Sequence, residues 1–333
     1  MTQGPVTLHL DITNTCNTDC VTCWDHSPLL ASPRTPTWKS LQANVDSLLT
    51  TVAEAASLGR LSGVIVSGMG EPLTHPRAIE LLASLKEMRL GVTLISNLLA
   101  DAADRLPADG ADTILIGIHS VDEAGYRAFH PSATADSWTR LERRLAARRD
   151  AGCRDRHVQV ICSLNADRLG DMIDLAAEYN AERVNFKLAS LGRGTETVRI
   201  TDGQRQRLLD AWIPEASARA ERRGVRHNLP TLRAQVLAGG AATAPIAETG
   251  CHMGDRYARI AVDGTVYFCC NTETTIGRLG DGTRFSDLWH GQVWNEMRAR
   301  LGRGEYFPGC ARCGKFEQNA KLAAKLRRSG NAA

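Results

Sequence analysis

The segment Val6-Thr7-Leu8-His9-Leu10-Asp11-Ile12, with the loop Cys16-Asn17-Thr18-Asp19-Cys20-Val21-Thr22-Cys23-Trp24 after it, decides how the rest of the chain reads. Val6–Ile12 is a short apolar run of strand length. Three cysteines follow within eight residues, spaced Cys16-x3-Cys20-x2-Cys23. Reactive groups of parallel α/β folds collect at that edge, beyond the carboxyl ends of strands. Thiolates three and four residues apart can grip one face of an iron–sulfur cluster. Three ligands on a four-iron cube leave one iron for something other than protein. The other readings are a zinc knuckle completed by His26 and three unrelated thiols. Zinc motifs generally come as two paired ligands, and a 3-then-2 triplet after a strand is unusual for zinc.

Outward from this segment, short apolar runs alternate with longer amphipathic ones as far as about Gly224. The candidate strands are Val6–Ile12, Gly63–Ser67, Val92–Ser96, Thr113–Ile118, Val158–Ser163 and Val184–Leu188. Helix-like stretches lie between them at Leu41–Ser57, Arg77–Met88, Ser137–Ala151 and Leu169–Tyr179, with a longer one after Asp202. Asp167 is read as a helix cap and Pro214 as a helix breaker. Alternation of this kind builds βαβ units and a parallel sheet. An open barrel and a doubly wound sheet both satisfy it. Residues 225–250 read as a linker and loop, with a Gly/Ala-rich stretch from Leu237 to Pro245. Beyond them Ala258–Val262 and Thr265–Phe268 flank Asp263-Gly264, a favoured two-residue hairpin turn. Short helices are expected near Phe285–His290, from Trp294 to Leu301 and from Lys315 to Arg328.

Composition excludes several classes. The 333 residues are 43% hydrophobic and 23% charged, as in a globular chain, and the net charge of +3 marks no dedicated nucleic-acid or membrane binder. No apolar run approaches the ~18 residues that span a bilayer, and Met1–Leu10 lacks a signal-peptide pattern, so a cytoplasmic protein is expected. Five of the ten cysteines fall late, at Cys251, Cys269, Cys270, Cys310 and Cys313. Clustered cysteines without a secretion signal point to metal or redox chemistry before disulfides. Cys251 precedes the hairpin and Cys269 ends it, so the turn can bring them together, with Cys310-x2-Cys313 approaching from the loop before the last helix. Four thiolates saturate a four-iron cluster; alone, the spacing also permits a structural zinc site.

Cys16-x3-Cys20-x2-Cys23 with Trp24 resembles the signature of radical S-adenosylmethionine enzymes. Met69-Gly70-Glu71-Pro72, after the second strand, looks like that family's glycine–glycine–glutamate–proline segment with Met69 in the first glycine's place. Ser96-Asn97 is similar to its threonine–asparagine–glycine segment, with Leu98 replacing the glycine. The late cysteines resemble the truncated auxiliary-cluster module, twitch; the longer SPASM form has cysteines this chain lacks. The resemblance implies an α/β fold: a partial (β/α)6 TIM-type barrel over 1–224, a linker over 225–250, and a small cysteine-rich β-hairpin/helix domain over 251–333.

It also implies the cofactors, S-adenosyl-L-methionine and two four-iron four-sulfur clusters. Cys16, Cys20 and Cys23 would hold one cluster and Cys251, Cys269, Cys310 and Cys313 the auxiliary one. Trp24, Gly70, Glu71, Pro72, Ser96, Asn97, Ser163 and Lys187 would lie against the nucleoside; His119-Ser120 is a further pocket candidate. One electron, from a donor such as flavodoxin or ferredoxin, would cleave the sulfonium bond, and the 5′-deoxyadenosyl radical would take a hydrogen atom from substrate. The overall layout resembles that of the aminocyclitol dehydrogenase that bears a twitch module. The substrate is therefore expected to be a sugar, aminoglycoside or aminocyclitol. The outcome leans to epimerisation, because adjacent strand residues face opposite ways and Cys270 would be a free thiol able to return a hydrogen atom. Cys270, Cys153 and Cys162 also read as small buried hydrophobes. Dehydrogenation with electron transfer to the auxiliary cluster is one alternative; radical modification of a ribosomal peptide is another, disfavoured because no leader-binding module precedes the first strand. A metal protein binding RNA through Lys315, Lys321, Lys325, Arg327 and Arg328 is the non-enzymatic reading. Those charges read better as a solvated helix face.

Overall fold

The computed structural model describes residues 3–239, 246–270, 274–310, 313 and 315–328. Ten strands form one sheet: β1 Thr7–Asp11, β2 Gly63–Ser67, β3 Gly91–Ser96, β4 Thr113–Gly117, β5 Arg156–Ile161, β6 Arg183–Leu188, β7 Arg226–His227, β8 Tyr257–Ile260, β9 Thr265–Tyr267 and β10 Thr275–Arg278. Their order is β10-β9-β8-β1-β2-β3-β4-β5-β6-β7, with β1 to β7 all parallel to their neighbours. The protein is thus an α/β partial barrel carrying a cysteine-rich hairpin and helices at its C-terminal end.

Each strand's apolar set packs on the crossover helices. On β1, Leu8 and Leu10 join the same core as Val45, Leu48, Val52 and Ala55 of the helix Val45–Ser57. That helix starts four residues later than its apolar period suggests, because Asn44 caps it by accepting the Ser47 amide at 2.9 Å. The helix Leu169–Glu178 has no side-chain cap; Arg168, and not Asp167, stands at its N-cap. Pro214 does not break its helix. The chain runs Asp202–Arg207, a π-turn over Leu208–Trp212, then Ile213–Arg223, so Pro214 falls in a first turn where a missing amide costs little.

Residues 225–250 are more structured than a linker. β7 pairs with β6, and the helix Leu229–Leu237 buries Leu229, Leu232 and Val236. The Gly/Ala-rich residues 240–245 lie outside the described residues. The hairpin turn is wider than two residues: pairing ends at Ile260↔Val266, and Gly264 takes φ +84°. β8 also pairs in parallel with β1, Thr7 opposite Tyr257 and Leu10 opposite Ile260. The hairpin therefore extends the barrel sheet. No helix among the described residues is long and apolar enough to cross a membrane.

Candidate active site

The triplet loop leaves β1 held on all sides. The Gly70 amide donates to the Thr13 carbonyl at 3.1 Å and the Glu71 amide to that of Thr15 at 2.8 Å, while Asn14 donates to the Trp38 carbonyl at 3.1 Å. Burial pushes the Cys16, Cys20 and Cys23 thiols up; neighbouring thiols of the triplet add repulsion at Cys16 and Cys20, and Asp25 adds it at Cys23. The Asp25 and His26 amides donate to Cys23 Sγ at 3.5 and 3.3 Å. Three converging soft donors, one already facing amide dipoles, suit a cationic iron–sulfur group that would relieve their repulsion. Among the described residues no three His, Cys, Asp or Glu groups are gathered tightly enough for a single metal ion. A four-iron cube spreads its thiolates over separate corners, and the triplet fits it. A hollow of about 320 Å³ lined by Cys16, His26 and Lys39 opens beside the loop.

Two further segments meet this loop. The buried Glu71 carboxylate accepts from the Leu73 amide at 3.0 Å, the Ser96 hydroxyl at 2.7 Å and the Asn97 amide at 2.7 Å. Burial pushes Glu71 up, against the pull of those donors. Glu71 thereby ties the turn at Pro72 to the end of β3, and Asn97 Nδ2 reaches the cysteine loop through Asn17 at 2.8 Å. Leu98, which stands where the resemblance would place a glycine, takes φ +57°, the left-handed region that glycine adopts most readily. Arg144 holds it there by donating to the Leu98 carbonyl at 2.6 Å while pairing with Asp104.

Inside the barrel, the face of β1 turned away from the helices carries His9 and Asp11. Asp11, fully buried, pairs with Arg259 of β8 at 2.7 Å; His9 contacts Tyr257 and Ser67, and Ser67 donates to Asp11 at 3.2 Å. Burial drives His9 well below its usual range. Arg259 also reaches Met69 Sδ at 3.6 Å, so the residue in the glycine's place faces this wall. These residues were not singled out in the sequence, yet a signal was present: polar residues alternate with apolar ones along β1 and β8 (His9, Asp11, Tyr257, Arg259), where a strand buried on both faces should be continuously apolar.

The late cysteines gather at the opposite end of the barrel. Cys251 precedes β8, and Cys269 and Cys270 follow β9, which runs antiparallel back to the same end. Burial pushes Cys251 up to about 11, with Cys310 and Cys270 adding repulsion. Five thiols, four sufficing for a cluster, make a donor set that fits the auxiliary group. Cys270 does not stand apart from them. Residues 268–270 form a bend beyond the end of β9, where strand alternation no longer applies. Its sulfur accepts hydrogen bonds from the Cys269 and Cys313 thiols, which lower it, and Lys315 and Arg259 add positive charge nearby; Cys313 is raised in turn.

The remaining candidates are spread more widely. Trp24 is half exposed, and its indole donates to the Ser190 carbonyl. Ser163 follows β5, with its amide on the Val198 carbonyl at 2.9 Å. Lys187 lies on β6 opposite Val160, near His119 and Lys315. His119 has φ +64° and accepts the Val160 amide at 3.0 Å, while Ser120 bonds Asp122; both are absorbed by the loop they shape. Cys162 is buried and Cys153 half-buried, as small apolar residues would be.

With this geometry in view, comparison with known proteins gives the class. Residues 10–158 match the radical SAM superfamily, and residues 251–314 match SPASM, an iron–sulfur cluster-binding domain. These two matches show a radical SAM domain and an iron–sulfur cluster-binding domain, and with them S-adenosylmethionine and iron–sulfur clusters as cofactors. It is 26% identical over 323 residues to "PqqA peptide cyclase" of Xanthomonas campestris, covering 92% of this chain and 79% of that one. It is 23% identical over 337 residues to "AdoMet-dependent heme synthase" of Methanosarcina barkeri, covering 94% and 92%. Its fold matches Streptococcus suis SuiB bound to S-adenosylmethionine with a TM-score of 0.65 and 16% identity, covering 89% and 68%.

Proposed function

We propose that this radical SAM enzyme modifies a peptide at an unactivated C–H bond. The observation that carries this reading is the likeness to the peptide cyclase along 92% of the chain, through barrel and cysteine-rich end alike. When bound on the first cluster, S-adenosylmethionine supplies hydrogen-atom abstraction, with the electron coming from a donor such as flavodoxin or ferredoxin. Cys16, Cys20 and Cys23 would hold that cluster. The turn at Gly70-Glu71-Pro72 and the end of β3 at Ser96-Asn97, locked together by the Glu71 carboxylate, would seat the nucleoside, with Trp24, Ser163 and Lys187 at the rim. Cys251, Cys269, Cys310 and Cys313 would hold the auxiliary cluster. Asp11 and Arg259, neutralised against each other, build a polar inner wall that can orient substrate while keeping water out.

The small-molecule reading, epimerisation or dehydrogenation of a sugar-like carbinol, rests on Cys270. Its sulfur lies against Cys269 and Cys313, beside the proposed auxiliary ligands, which disfavours a role as free hydrogen donor. The test is anaerobic turnover of reconstituted enzyme with reductant and S-adenosylmethionine, against short peptides encoded beside its gene and a panel of aminoglycosides. A two-dalton loss in a peptide is expected. Conversion of an aminoglycoside with every peptide untouched would overturn the proposal, and a single deuterium gained from solvent, abolished in Cys270→Ala, would establish inversion.

A further inference from the structure

The basic C-terminal helix Phe316–Arg328 is not simply a solvated face. Gln318, Lys321, Leu322 and Lys325 recur at helical spacing and line one side of a cavity of about 490 Å³. The opposite side is the barrel's lower mouth, built from the starts of β1, β2 and β3, where Gly63 and Gly91 sit side by side and contribute no side chain. This is the end of the barrel remote from the cysteine triplet. No cysteine lines the cavity, so it is not a cluster site.

Its charge is one-sided. Arg256, Lys315, Lys321 and Lys325 line it, and among the described residues none of its lining is acidic. Lys315 is placed with its ammonium 4.8 Å from the centre of the Tyr257 ring. Asp255, beside Arg256 in sequence, is taken by Arg298 at 3.1 Å. Like charges gathered in a concavity focus a positive potential and draw counter-ions. The volume falls in the range of small-ligand pockets, about 300–1,000 Å³.

We propose that this lower cavity is a binding site for a multivalent anion, bearing carboxylates or phosphates, separate from the S-adenosylmethionine site. The proposal does not depend on whether the reacting substrate is a peptide. Isothermal titration of the reconstituted holoenzyme tests it, with citrate and inorganic pyrophosphate as probes and sodium chloride balancing ionic strength. Saturable one-to-one binding of at least one probe is expected, and the probe preferred tells carboxylate from phosphate. In the double variant Lys321→Gln/Lys325→Gln, both on exposed positions, affinity should fall at least tenfold. Iron content and 5′-deoxyadenosine release should stay unchanged. Arg256→Gln, from the other side of the cavity, should weaken binding independently. Heats no larger than the chloride blank for both probes, or wild-type affinity in the double variant, would overturn it.

Discussion

A methyl group on Gly70 would sit 2.0 Å from the Thr15 carbonyl oxygen and 2.6 Å from the Asn14 carbonyl carbon. Gly70 has no left-handed backbone to protect, so its requirement is space: the turn lies directly on the cysteine loop. Gly70→Ala should therefore displace that loop and cost roughly 2–3 kcal/mol in denaturant unfolding. Iron content should drop by about four per chain as the first cluster is lost and the auxiliary one kept. Wild-type iron and wild-type 5′-deoxyadenosine release in this variant would remove the steric argument. At this scale the sequence was readable where spacing is rigid. The triplet reads from its spacing after a strand, whereas Gly70-Glu71-Pro72 reads as more than a strand-to-helix turn only through its resemblance to the radical S-adenosylmethionine segment. The alternation along β8 marks Arg259 as an inward polar residue, but not its partner: Asp11 is 248 residues away and only the sheet brings them together.

Among elements, the Arg144 side chain joins the helix Ser137–Asp150 to the end of β3. Its guanidinium is buried, bonded to Asp104 and to the Leu98 carbonyl, and so fixes a left-handed leucine beside Asn97. Arg144→Ala leaves that carbonyl unpaired and is expected to cost about 2–4 kcal/mol. The KM for S-adenosylmethionine should rise several-fold, with kcat less affected, as Asn97 loses its fixed position. An unchanged KM would mean that the β3 end is set without this clasp. The first six strands could be read from their apolar runs to within two residues at either end. β7 and the helix Leu229–Leu237 could not: a two-residue strand has no period, and Pro230 with nearby glycines imitates a loop although proline is at home in a first helical turn.

For the molecule as a whole, acid sensitivity should come from buried imidazoles. Burial alone pulls His157 down to about 4, and chiefly burial does the same for His130. Both stay neutral in the folded chain at pH values where the unfolded chain, titrating near 6.5, takes up protons. Stability is therefore level above about pH 6.5 and falls as pH drops from there towards 4. His157 contributes roughly 1 kcal/mol of that loss between pH 7.5 and 5.5. Its Nδ1 has no partner among the described residues, so His157→Leu should fold and show a shallower pH slope in denaturant titrations. An identical slope in the two proteins would place the sensitivity elsewhere.

The pairing of β8 with β1 has one more consequence. The triplet lies past the carboxyl end of β1, and the late cysteines lie at the amino end of the strand bonded beside it. The five residues of β1, at ~3.3 Å each, thus act as a ruler between the two sulfur clusters. An electron passing between the two proposed clusters would cross a gap framed by one pair of bonded strands, β1 and β8.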